Sequence, residues 1–226
     1  MKAVIFDFDG TIADTISALR EGINLVMDEL GFSRHTDEEV LTFVNHGSRE
    51  LLRRALPEVY RKDEDMVTRA LALYDKHYLT VCYHTDKTYP GVRELVERLH
   101  AKGYAIGILS NKQAPVLEKL AASLLKEGSV DAVQGVFPGA PTKPDPFLSH
   151  RIQERLGVSP KDCVFVGDSD VDIATAKNGG MTHVAVTWGF ASEEHLKAAG
   201  ATRFAHTSEE LETLIEQIFS EERHHD

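Results

Sequence analysis

From Tyr104 to Val186 the chain alternates between short apolar runs and stretches with helical spacing, which restricts it to an α/β fold built on a parallel sheet. The runs are Tyr104–Leu109, Gln134–Phe137, Cys163–Val166 and His183–Val186. The helical stretches between them cover Val116–Leu125, Phe147–Leu156 and Val171–Asn178, with stop signals at Gly157 and at Gly179-Gly180. Strands joined through helices run parallel and have both sheet faces covered. A further run, Val4–Phe6, opens the chain and reads as a strand buried on both faces. Pro90-Gly91 opens a helix carrying Val92, Leu95, Val96 and Leu99, and a last helix starts at Ser208.

Between the first run and Thr88 the pattern is helical only. Ile16, Leu19, Ile23, Val26, Met27 and Leu30 recur at three- and four-residue spacing before Gly31. Thr36-Asp37-Glu38-Glu39 is a capping box for a second helix with Val40, Phe43 and Val44 inward. Asn45-His46-Gly47 breaks it, Ser48 is placed to cap a third helix with Leu51, Leu52, Ala55 and Leu56, and a fourth runs from Asp65 to Val81. The expected organisation is a Rossmann-like α/β core of residues 1–14 and 86–226 with a small α-helical cap domain, residues 15–85, inserted after the first strand. Residues 221–226, with His224-His225, read as a flexible tail.

Three of the apolar runs end in chemistry. The first ends in Asp7-Phe8-Asp9-Gly10-Thr11, where period-two alternation sends both carboxylates to one side and Gly10 permits a sharp turn. The second ends in Ser110-Asn111-Lys112 and the third in Gly167-Asp168-Ser169-Asp170-Val171-Asp172. Lys143 lies between prolines in Pro141-Thr142-Lys143-Pro144-Asp145-Pro146. In an open α/β sheet ligands bind beyond the carboxyl ends of the strands. Two carboxylates about 4 Å apart repel by roughly 4 kcal/mol at an effective dielectric near 20, so such a cluster needs a proton or a cation. Oxygen-only ligands suit Mg2+, and a lysine with a hydroxyl suits a phosphate.

Composition narrows the partners. A net charge of −11 argues against nucleic-acid binding, which runs on clustered Lys and Arg. No stretch reaches the ~20 apolar residues of a membrane span, and Asp7 and Asp9 interrupt any signal-peptide core. Two cysteines, Cys82 and Cys163, give no disulfide framework, so a cytoplasmic location is expected.

With these segments in this order, the chain resembles the haloacid dehalogenase superfamily of phosphohydrolases along nearly its whole length. Asp7-Phe8-Asp9-Gly10-Thr11 matches the nucleophile motif, Ser110 the phosphate-binding motif, Lys143 the third, and Gly167-Asp168-Ser169 with Asp172 the acidic fourth. The helical insertion matches the family's small α-helical cap. The resemblance implies that Asp7 is the nucleophile and forms an aspartyl-phosphate, while Asp9 protonates the leaving alkoxide and then takes a proton from water. Relatives that cleave phosphonates or pump ions lack an acid at the position of Asp9. The resemblance further implies Mg2+ held by the Asp7 carboxylate, the Asp9 carbonyl and Asp168, with Asp172 orienting metal-bound water or Lys143. Ser110 and the backbone amide of Asn111 would hold phosphoryl oxygens, and Lys143 would neutralise charge in the transition state.

Within the superfamily the chain is most similar to phosphoglycolate phosphatases, through Asn45-His46-Gly47, Leu51-Leu52-Arg53-Arg54-Ala55-Leu56, Tyr89-Pro90-Gly91-Val92, Ser110-Asn111-Lys112, and Asp172 with Ala176. That implies a small phosphorylated metabolite as partner, 2-phosphoglycolate first, and a monomer or weak homodimer. Those enzymes usually carry a longer Gly-Asp-rich segment where Gly135–Thr142 is compact, which leaves the exact substrate open. A β-phosphoglucomutase, a pyrophosphatase or a sugar-phosphate phosphatase shares the motifs. Intact Asp7, Asp9, Lys143 and Asp168 weigh against a catalytically silent binding module.

Substrate choice is expected in the cap, where His46, Gly47 and Arg49 stand at the start of the third helix, with Arg53 one turn on. Asp14 and Asp170 read as helix caps and Trp188 as packing.

Overall fold

The computed structural model of the chain describes residues 1–85 and 87–221. It opens with β1 (Ala3–Phe6) and β2 (Ala13–Asp14), followed by α1 (Ile16–Leu30), α2 (Asp37–Leu41), α3 (Ser48–Ala55) and α4 (Glu64–Thr85). After β3 (Lys87–Thr88) come α5 (Val92–Ala101), β4 (Ala105–Gln113), α6 (Ala114–Leu124), β5 (Ala132–Val136) and α7 (Pro146–Leu156). The chain closes with β6 (Cys163–Gly167), α8 (Asp170–Asn178), β7 (Thr182–Val186), α9 (Glu193–Ala198), β8 (Phe204–Ala205) and α10 (Ser208–Glu221). It divides into two compact units, Met1–Ala13 with Thr88–Asp226, and Asp14–Lys87.

The first unit is built on a six-stranded parallel sheet in the order β5-β4-β1-β6-β7-β8. β1 lies between the strands that carry the other two polar termini: Phe6 stands opposite Ile108 on one side and Val166 on the other. The sheet order therefore converts three motifs far apart in sequence into neighbours. Every residue of β1 is fully buried, as its unbroken apolar run requires. On one face Ile5, Leu109 and Phe165 pack against Leu148, Ile152 and Leu156 of α7. That helix comes so close that a side chain at Gly107 would meet Ile152 Cδ1 at 2.9 Å.

In the second unit α1 ends as its sequence demands, with Gly31 in the left-handed conformation. The Thr36–Glu39 capping box is formed in both directions, the Thr36 amide donating to Glu39 Oε2 at 2.9 Å and the Glu39 amide to Thr36 Oγ1 at 3.3 Å. Among the described residues no helix is long and apolar enough to cross a membrane, and Cys82 and Cys163 are buried and form no disulfide.

Several expectations are corrected. α2 stops at Leu41, before Phe43 and Val44, and Gly47 rather than Ser48 caps α3, because Asn45 and Gly47 both take positive φ and turn the chain there. β4 continues through Gln113 instead of ending at Leu109. α9 and β8 carry too few residues for a period to be read, although Ser192 caps α9 by accepting from the His195 amide. Glu221 belongs to α10, and the rest of the expected tail lies outside the described residues.

Candidate active site

The turn after β1 sets the first two acids. The Asp7 amide donates to the Val166 carbonyl at 2.8 Å, which prolongs the β1–β6 pairing by one residue and buries the Asp7 side chain. The amides of Thr11, Ile12 and Ala13 then converge on the Phe8 carbonyl, and Gly10 has φ +80°. A side chain at Gly10 would lie 2.3 Å from Asp168 Oδ2, so glycine is needed for its φ and for the close approach of the β6 acid.

The end of β6 supplies Asp168 and Asp172, both fully buried. Asp168 is held by the Thr11 hydroxyl on Oδ1 at 3.1 Å and by the Phe190 amide on Oδ2 at 2.7 Å. Asp172 closes a capping box with Ser169, its Oδ2 accepting from the Ser169 amide at 3.0 Å and from its hydroxyl at 2.6 Å. Ser169, not Asp170, is thus the cap, and Asp172 is not the surface residue its place on a helix would allow. Asp14 offers the Ile16 amide only a long bond of 3.4 Å, and Thr15 occupies the cap position of α1.

Lys143 joins the two halves of the cluster. Its buried ammonium lies 2.8 Å from Asp7 Oδ1 and 2.8 Å from Asp172 Oδ1. Its backbone is tied to the strand terminus next door: the Lys143 amide donates to Asn111 Oδ1 at 2.7 Å, and the Lys143 carbonyl accepts from Asn111 Nδ2 at 3.2 Å. Asn178 Nδ2 donates to the following carbonyl, that of Pro144, at 2.8 Å.

The terminus of β4 is irregular. Leu109 faces Gln134 and Gln113 faces Val136, so Ser110, Asn111 and Lys112 bulge out against the single residue Gly135. The bulge folds over Gly135 so closely that a side chain there would meet Lys112 O at 2.7 Å. Ser110 is buried, with its hydroxyl 3.3 Å from the Lys112 amide. The Lys112 ammonium lies 3.1 Å from Asp9 Oδ1.

Three buried carboxylates against one ammonium leave two formal negative charges in the Asp7–Asp168–Asp172–Lys143 cluster. The titration behaviour follows. Burial, with the charge of Asp172 added, raises Asp7 from its ordinary value to about 7, and burial with Asp172 and Asp7 raises Asp168 as well. Burial disfavours the Lys143 ammonium, but Asp172 and Asp7 outweigh it and keep the lysine charged. Ligand oxygens of Asp7, Asp168 and Asp172 all lie within 4.8 Å of one another, close enough to share one cation. Asp172 already accepts from Lys143 and twice from Ser169, whereas Asp7 Oδ1 has the Lys143 ammonium at 2.8 Å. The surplus negative charge of the cluster fits one hard divalent cation.

Of the expected site residues, Asp7, Ser110, Asn111, Lys143, Asp168 and Asp172 are brought to one end of the sheet, with Asp9 beside them on Lys112. His46, Gly47 and Arg49 belong to the second unit, where His46 and Arg49 are exposed and Arg49 pairs with Glu64 at 2.7 Å and Thr68 at 3.2 Å. Arg53 is bound to Glu64 and to the Arg61 carbonyl. Trp188 is half-buried and its indole N–H donates to the Thr11 carbonyl at 3.1 Å. Sequence reading assigned no part to Thr11, Lys112 or Phe190. Thr11 and Lys112 stand inside motifs already singled out, so their spacing was a usable signal. Phe190 acts through its backbone and leaves none.

The sequence model of the haloacid dehalogenase-like hydrolase family matches residues 4–186. The phosphoglycolate phosphatase of Aliivibrio fischeri is 29% identical over 194 residues, covering 84% of this chain and 86% of that protein. The phosphoglycolate phosphatase of Nitrosospira multiformis is 32% identical over 194 residues, covering 84% and 85%. A crystal structure from Lactobacillus delbrueckii subsp. bulgaricus superposes with a TM-score of 0.89 at 32% identity, over 95% of this chain and 99% of that one.

Proposed function

The chain belongs to the haloacid dehalogenase-like hydrolases, and on that premise we propose that it is a Mg2+-dependent phosphatase of a small acidic phosphate monoester, 2-phosphoglycolate in the first place. The observation that carries the reading is Asp7: a buried carboxylate at a strand end, with a lysine on one oxygen and a second aspartate two residues on. The phosphoglycolate phosphatases of comparable length support the choice of substrate.

In this reaction an Asp7 oxygen attacks phosphorus, and the bond to the leaving oxygen breaks as the acyl phosphate forms. Asp9 gives its proton to the departing alkoxide, which leaves as the alcohol. Asp9 then takes a proton from water as that water attacks the aspartyl-phosphate, releasing inorganic phosphate, freeing the Asp7 carboxylate and returning Asp9 to its acid form. The Ser110 hydroxyl and the Asn111 amide donate to phosphoryl oxygens, and Lys143 adds a positive charge where negative charge accumulates. Asp7, Asp168 and the Asp9 carbonyl would hold Mg2+, which supplies charge neutralisation for nucleophile and phosphate together. Asp172 keeps Lys143 charged and in place through the 2.8 Å contact.

A panel of phosphorylated metabolites assayed with Mg2+ tests the proposal. The highest kcat/KM is expected for 2-phosphoglycolate. A higher value for a neutral sugar phosphate would overturn the substrate, and no turnover of any phosphate monoester would overturn the reaction.

A further inference from the structure

Lys143 has a demanding task for a flexible side chain: its ammonium must meet Asp7 and Asp172 at 2.8 Å each, deep in the site. A lysine stem has four rotatable carbons, so the ammonium is only as well placed as the backbone from which it starts. That backbone belongs to no strand or helix. Residues 137–145 connect β5 to α7, and within the segment the backbone bonds are the turns from Ala140 to Phe137 and from Asp145 to Thr142. Among the described residues, both polar backbone groups of Lys143 are met by one side chain, Asn111.

We infer that the Asn111 side chain is a positioning residue for Lys143, a role separate from the phosphate contact proposed for the Asn111 backbone amide. A carboxamide carries one acceptor and one donor side by side, the same pair that the edge of a neighbouring strand would present. Asn111 thus replaces a strand that the loop lacks, and the β4 bulge is what turns its side chain out of the ladder toward the loop. Aspartate keeps the acceptor and loses the donor, and alanine loses both. A misplacement of about 1 Å at a reacting centre can cost on the order of 100-fold in rate, so loosening this tie is expected to register in kcat.

The inference rests on the reading of Lys143 as the cation that faces the transferring phosphoryl group. A double-mutant cycle in kcat for p-nitrophenyl phosphate with Mg2+ separates the two claims. Asn111→Ala retains the backbone amide, and it is expected to lower kcat about 10- to 100-fold in the parent background, with Asn111→Asp in between. In a Lys143→Gln background, where there is no ammonium to position, Asn111→Ala is expected to change kcat less than about twofold, well below its effect in the parent. Equal fold-losses in both backgrounds, or no loss in the parent, would overturn the inference. Full activity in Lys143→Gln would instead overturn the reading of Lys143. If thermal melting shows that Lys143→Gln does not fold, Lys143→Met, which also lacks a cation to position, serves as the second background with the same expected order.

Discussion

The ammonium of Lys112 lies 3.1 Å from Oδ1 of Asp9, with the lysine side chain 5% exposed and the aspartate side chain 20% exposed. Asp9 is therefore oriented by a buried partner on the neighbouring strand while keeping access to the outside, which suits a group that must exchange protons with a leaving alcohol and with water. Lys112→Met is expected to slow esters with poor leaving groups, such as alkyl phosphates, by ~10-fold or more, because these need the Asp9 proton. Turnover of p-nitrophenyl phosphate, whose leaving group needs little protonation, should fall much less, and Lys112→Arg should recover most of the alkyl ester rate. Identical losses on both classes of ester would contradict the role given to Lys112.

With Mg2+ held by Asp7 and Asp168 as proposed, metal and protons compete for the same carboxylates. With its pKa raised to about 7 in the folded state, Asp7 contributes stability that is fully present below its ordinary value of 3.8 and is lost as pH rises through 7. Asp168 shifts in the same direction. Mg2+ takes these groups in their ionised form, so the rise in melting temperature on adding Mg2+ should be larger at pH 8 than at pH 5.5. A metal effect that is the same at both pH values, or larger at pH 5.5, would remove Asp7 and Asp168 as the ligands.

His183 sits on β7 opposite Phe165, and among the described residues neither ring nitrogen has a hydrogen-bond partner. Burial lowers its pKa from 6.5 to about 4. The sign is opposite to that of Asp7: the unfolded chain binds the proton more readily, so stability present above pH 6.5 is lost as pH falls toward 4. Relative to the parent, His183→Leu should gain stability as pH drops from 6.5 to 4.5 in urea titrations. A difference between the two proteins that stays constant over that interval would show that the imidazole does not titrate there.

The part expected of His46 and Arg49 in substrate choice is tested by a ratio of substrates. His46 is exposed beside two positive-φ residues, Asn45 and Gly47, and Arg49 is exposed in a pair with Glu64 that an anion could replace. His46→Ala and Arg49→Ala should each raise KM for 2-phosphoglycolate severalfold more than KM for p-nitrophenyl phosphate. Parallel changes on the two substrates would remove these residues from the recognition of the second anionic group.

Much of the fold was legible because the core obeys local rules. The apolar run of β1, the Thr36–Glu39 capping box and the glycine stops at Gly31 and Gly157 each have a physical signature within a few residues, and each stands where its signature puts it. The convergence of Asp7, Ser110, Lys143, Asp168 and Asp172 was legible only jointly, through the adjacency of strand ends that a parallel sheet creates. What escaped depends on contacts made in three dimensions. The β4 bulge exists because Gly135 on another strand leaves room for it, and the hold of Phe190 on Asp168 is a backbone bond with no side-chain signature. The break at Asn45 was readable, but the early end of α2 was not, since Phe43 and Val44 continue its apolar pattern after its backbone has left the helix.

The central claim is that Asp7 carries the phosphoryl group, and rapid acid quench during turnover followed by peptide mass spectrometry tests it most directly. The parent protein with Mg2+ and p-nitrophenyl phosphate should show a phosphoryl adduct on the peptide containing Asp7, formed with a burst of nitrophenolate. Asp7→Asn should show neither adduct nor turnover, while melting no lower than the parent in the absence of metal, because ionised Asp7 is itself disfavoured in the folded state. Turnover by Asp7→Asn at the parent's rate, or an adduct on a different residue, would contradict the account.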